Sequence, residues 1–183
     1  MLTLNPSEKP GLNKAFNDAV RFVLGELGEK EHAEKGMSWR AFFVNKPFQG
    51  CRDLSFVDHN WAGGTSNIAK QAIYGIYSAE KVHRTAMGYY DSACVTSMDS
   101  RKPEDEKYGG GIILSCRIKS LGTRPVKVLL AGSGLPEDAD ESVMLLVPHF
   151  AGWDVTRHSL RKVFSESPNA LMRACLKRYH EKK

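Results

Sequence analysis

Leu12, Phe16, Ala19, Val20, Val23 and Leu27 recur at three- and four-residue spacing behind a loose lead-in, Met1 to Pro10. One apolar stripe of that period predicts a helix over about Gly11–Leu27. Polar Glu29 to Lys35 follows as a solvated connection ending at Gly36. Trp39-Arg40-Ala41-Phe42-Phe43-Val44 is aromatic and β-branched and predicts a strand, and Asn45 to Gly50 carries the Pro and Gly of a turn. Cys51 to Val57 is expected to return as a second strand, although Cys51, Leu54 and Phe56 do not alternate cleanly.

Gly63-Gly64 and the capping residues Thr65, Ser66 and Asn67 precede a helical stretch from Ile68 to about Tyr90. Ala72, Ile76, Ala79, His83, Ala86 and Tyr90 form its stripe, for which an inward orientation is expected; Gly75 and Ser78 are points where it would break. Ser97 to Lys107 reads as a polar loop. Gly109-Gly110-Gly111 then opens onto Ile112 to Ile118, and a turn at Gly122 to Pro125 leads to Val126 to Ala131, the pattern of a hairpin. After Gly132-Ser133-Gly134, the segment Leu135 to Glu141 combines an early Pro with acidic residues, which suits the positive end of a helix dipole. Ser142 to Val147 continues that helix, a strand over Val143 to Phe150 being the alternative. Asp154 to Lys183 is helical by pattern, broken at Ser167-Pro168-Asn169.

The chain has 183 residues, 42% hydrophobic and 26% charged, the balance of an ordinary globular protein. These figures predict a single domain over 1–183, with a basic helical extension at 154–183. There is no run of ~18 apolar residues, so no membrane span is expected; the first residues lack a secretory pattern, so a cytoplasmic location is expected. Cys51, Cys94, Cys116 and Cys175 are scattered with no CxxC, which argues for free, mostly buried thiols rather than a zinc or redox motif. Charge is uneven: Arg157 to Lys183 holds eight Lys/Arg against two Asp/Glu, and the remaining 18 Lys/Arg and 19 Asp/Glu give −1. A uniformly basic nucleic-acid binder would not look like this. The basic tail is either a solvated helix face or a contact for an acidic partner, whether protein, RNA or headgroups.

Hydrolase signatures are absent: there is no GxSxG, HExxH or Walker loop. His83 is the sharpest candidate, since a neutral imidazole on an inward stripe can ligate a metal or heme iron; the plainer alternative is a hydrogen-bonded buried histidine. His59, between Asp58 and Asn60, is expected in a loop at the edge of a pocket, or is simply a polar loop residue. Gly110 and Gly111 permit close backbone approach to a ligand or to another chain segment. Ser133 and Gly134 offer N–H groups to an anion, unless they form an ordinary capped helix start. An enzyme acting on a small molecule stays open as a class.

Three segments resemble the heme-binding or heme-degrading domain family of the glycolate-utilisation-operon protein type, which has an uncharacterised fungal and bacterial branch. They are Arg84-Thr85-Ala86, similar to that family's helix ending in a Thr-Ala step; Tyr108-Gly109-Gly110-Gly111-Ile112-Ile113-Leu114, similar to its GG strand; and Ser133-Gly134 with Asp140, similar to its SG turn. Val82 and His83 depart from the Lys-Ala pair usual before the Thr-Ala step, and the segment after Pro148 is longer than usual. The resemblance covers a core at about 11–147 and implies an α/β (α+β) fold, a central antiparallel sheet of about five strands flanked by helices in a profilin-like layered arrangement. It also implies a self-associating homo-oligomer that binds heme or a related tetrapyrrole and is at most weakly heme-degrading. The rival expectation is a cofactor-free oligomeric adaptor that works through its basic C-terminal helix.

Overall fold

The computed structural model describes Leu4 and residues 8–28, 35–48, 51–87 and 110–183. Tyr90, Cys94, Gly109 and the 97–107 loop lie outside the described residues, as do most of the lead-in and of the 29–35 connection. Helix α1 (Lys9–Glu26) is followed by strands β1 (Gly36–Phe48) and β2 (Cys51–Gly63), then helix α2 (Ile68–Met87). Strands β3 (Gly111–Arg117) and β4 (Val126–Ser133) come next, then α3 (Glu137–Phe150), the short β5 (Asp154–Val155), α4 (Arg157–Glu166) and α5 (Ala170–Glu181). The strands form one antiparallel sheet in the order β2-β1-β4-β3-β5.

The sheet is apolar on both faces because helices cover both. Met37, Trp39, Ala41 and Phe43 of β1 point one way with Val128, Leu130, Ile112 and Leu114, and join a core with α1 and α3, on which α5 packs. The centre of this layer is Trp39, fully buried and stacked on Phe16 at 3.9 Å between ring centroids. The opposite face carries Phe42, Val44, Leu129, Ala131 and Ile113, which meet Val82 and Ala86 of α2. Two-residue alternation within continuous apolar runs is what a sheet covered on both sides requires.

The structure corrects one sequence expectation, the extent of β2, and decides others. Strand β2 runs six residues beyond Val57 to Gly63, so His59 sits in a strand and not in a loop. The broken alternation of Leu54 and Phe56 has a cause: the register shifts between Ala41↔Asp58 and Phe42↔Phe56, so Val57 is an extra residue. The segment from Ser142 is helix throughout, which removes the strand alternative. The C-terminal segment is two helices parted at Ser167-Pro168-Asn169 as expected, and Asn169 caps α5 by accepting from Met172 N at 3.0 Å. It is also part of the core, because Met172, Cys175 and Leu176 are buried in the layer with α1 and α3.

Candidate functional site

A cleft of about 540 Å³ opens between α2 and the β1–β2 pair, lined by residues that include Ser38, Arg40, His59, Trp61, Gln71 and Ile76. The strand register builds it. Ser38 lies opposite Trp61 and Arg40 opposite His59, so all four share the α2 face of the sheet. The bulge at Val57 then places Phe56 on that face too, its ring 5.6 Å from His59 and 5.5 Å from Phe42. Trp61 is fixed by donating from Nε1 to Gly64 O at 2.8 Å, and Tyr74 stands 6.1 Å from its ring.

Arg40 is the most informative side chain of the cleft. Its Nε donates to Ser78 Oγ and its Nη2 to Gly75 O, both at 3.2 Å, while Ser78 Oγ also reaches Gly75 O at 3.0 Å and Ser38 Oγ at 3.3 Å. Both of its acceptors are neutral. Among the described residues no carboxylate lies within ion-pair distance of Arg40, unlike Arg84, Arg117 or Arg178. A half-buried guanidinium is thus held in place with N–H groups to spare. Sequence reasoning missed it; the signal was a cation inside the aromatic run Trp39 to Val44, on the same parity as Ser38.

The other candidates are placed elsewhere. Ala72, Ile76 and Ala79 do form a stripe, but it lines the cleft and solvent rather than the core. His83 continues this stripe by one turn, is exposed, and does not line the cleft, so its inward orientation is overturned. The buried face of α2 is Ser78, Lys81, Val82 and Thr85 instead. Lys81 Nζ donates to Asp140 Oδ2 at 2.9 Å and to Gly132 O at 3.0 Å.

Gly110, Gly111, Ser133 and Gly134 are also outside the cleft lining and all but Gly134 are buried. A Cβ on Gly110 would meet Gly132 O at 2.4 Å and Asp140 Cβ at 2.8 Å, and one on Gly134 would meet Gly36 O at 2.4 Å. Both have positive φ, so the close approach they allow is to the protein's own backbone. The N–H groups after Ser133 are taken by Asp140, whose Oδ1 accepts from Leu135 N at 3.0 Å with Gly134 N also bonded. An internal carboxylate therefore occupies the place where an anion would dock. Burial pushes the Asp140 carboxyl up to about 7, against the pull of Lys81 and the two N–H groups. Among the described residues no cluster of three or more His, Cys, Asp or Glu could hold a metal ion, and no helix is long and apolar enough to cross a membrane. Cys116 and Cys175 are free and buried, and burial raises their thiols to about 12 and 11.

The chain matches no family model, and no curated protein and no solved structure matches it.

Proposed function

We propose that this chain is a small-ligand-binding domain whose ligand is a flat, partly apolar molecule of the tetrapyrrole class, heme among them, held between α2 and the β1–β2 pair. The observation that carries the reading is the make-up of the cleft. An imidazole (His59), a guanidinium (Arg40) and the Trp61 ring on the sheet face Ile76 and Ala79 of α2 across a cleft of about 540 Å³. Largely apolar clefts with a few placed polar groups are the usual form of small-ligand sites. The donor set fits heme: His59 offers a nitrogen to iron, Trp61 and Ile76 offer apolar surface, and Arg40 offers a cation. Heme would supply redox or oxygen chemistry, while these side chains bind and orient it. The three segments that resemble the heme-binding family support the reading independently of the cleft.

Titration of the protein with hemin, followed in the Soret region, tests it. A saturable shifted band is expected, and His59→Ala should change its position and weaken binding by about tenfold or more. The reading fails if no shift develops, or if His59→Ala leaves both band and affinity as they were. His83→Ala serves as the comparison and is expected to have little effect, because His83 lies outside the cleft.

Self-association without a cofactor is the second reading, and one observation favours it. Ile68, Ile73, Ile76 and Tyr77 of α2 are 88%, 51%, 67% and 50% exposed. Apolar clusters of this kind mark contact surfaces. The basic C-terminal helix supports an adaptor role less well, since Arg178 and Lys182 both turn to Glu26 of α1.

A further inference from the structure

We infer that Arg40 is an acid-recognising residue, so that the cleft selects planar ligands carrying a carboxylate over neutral ligands of the same shape; this rests on the small-ligand reading of the cleft. The inference follows from how the guanidinium is held. Ser78 Oγ and Gly75 O orient it from α2, yet neither neutralises it. A guanidinium presents N–H donors in a planar fork, and two of the acceptors it needs are already neutral protein groups. A carboxylate matches the remaining fork in shape and charge. His59 lies opposite Arg40 across the β1–β2 ladder, and no carboxylate is among the described residues that line the cleft. Apolar surface from Ala72, Ile76 and Ala79 on the helix side defines where the rest of such a ligand rests. The acid therefore sets the ligand's orientation, with its apolar body against α2.

Paired ligands that differ in charge alone test the inference on the intact protein. One arm compares 2-naphthoate with 2-naphthamide by calorimetry. The wild type should bind the acid about tenfold more tightly, the scale of one charge-assisted hydrogen-bonded contact. Arg40→Gln should remove that preference, and Arg40→Lys, which keeps the charge but loses the fork, should retain only part of it. The second arm compares hemin with its dimethyl ester. Acid preference in the first arm with no hemin binding in the second upholds Arg40 and discards the tetrapyrrole reading. Equal binding of hemin, its ester and the Arg40→Gln variant upholds tetrapyrrole binding and overturns the inference. Equal affinity for acid and amide in the wild type, or failure to bind either, also overturns it. This wild-type comparison decides the matter even if Arg40→Gln fails to fold.

Discussion

Lys81 and Asp140 are a buried ion pair, with side chains 8% and 1% exposed, and together they pin α2 to β4 and to the start of α3. Removing one partner from such a pair strands the other charge in a medium that cannot solvate it. Lys81→Met should therefore cost about 3–5 kcal/mol. In Lys81→Met/Asp140→Asn the loss should fall short of the sum of the two singles by about 1 kcal/mol or more, since the pair is coupled. Urea unfolding of the four proteins measures both quantities; a Lys81→Met variant as stable as the wild type would refute the pinning role. The same residues explain what could be read from sequence. Gly110 was legible as a place of close backbone approach and Gly134 as a source of N–H groups, but whether these meet a ligand or the chain itself depended on where Gly132 O, Gly36 O and Asp140 lay in space. Asp140 was legible as helix-start chemistry, yet its partner Lys81 is 59 residues away, and nothing local marks a lysine for burial. Arg40 was legible only as an odd charge in an apolar strand, because its role comes from Ser78 and Gly75 on another element.

Element by element, periodicity found the helices and most of the strands but could not orient α2. Its sequence carries apolar residues on more than one side: Val82 and Ala86 meet the sheet, while Ile73, Ile76 and Tyr77 stay exposed. The stripe of Ala72, Ile76, Ala79 and His83 is a real helical face, and only the packing of Ser78, Lys81, Val82 and Thr85 shows that it turns to the cleft and solvent rather than to the core. Strand β2 fails for a different reason. A single inserted residue at Val57 changes the parity halfway along, so no one two-residue pattern describes it. The outward face of α2 has a consequence for association. Covering the exposed half of Ile73 and of Tyr77 would contribute about 1 kcal/mol each. Sedimentation should therefore show a concentration-dependent oligomer that Ile73→Lys/Tyr77→Lys converts to monomer. Both side chains are half exposed, so the double variant should keep its monomer stability within about 1 kcal/mol. A wild type that sediments as monomer throughout would discard self-association through this face.

At the scale of the whole molecule, part of the uneven charge that set Arg157 to Lys183 apart is tied into the fold. Glu26 accepts from Lys182 at 3.0 Å and from Arg178 at 3.4 Å, and these cations hold its carboxyl below the usual range. Tyr179 Oη donates to His149 O at 3.0 Å, so α5 is tied to α3 as well as to α1. This junction leaves His149 in an unfavourable place for a charge. Its Nε2 is buried and finds no hydrogen-bond partner among the described residues. Burial first, then the charges of His180 and Lys183, lower its imidazole to about 4, with Asp154 opposing weakly. Unfolded, the same imidazole titrates near ~6.5, so between these values the unfolded chain holds the extra proton. Stability is then fully present above ~6.5 and declines as pH falls from there towards 4. Urea midpoints taken across that window should fall with pH, and His149→Gln should flatten this part of the profile by removing the titrating group. The same slope in wild type and variant would place the acid sensitivity elsewhere. Because His149 lies where α5 meets α3, protonation there should loosen the C-terminal helix first. Hydrogen exchange at pH 5 should accordingly rise in α5 before it rises in β1, whose Trp39 and Phe43 lie fully buried in the centre of the sheet.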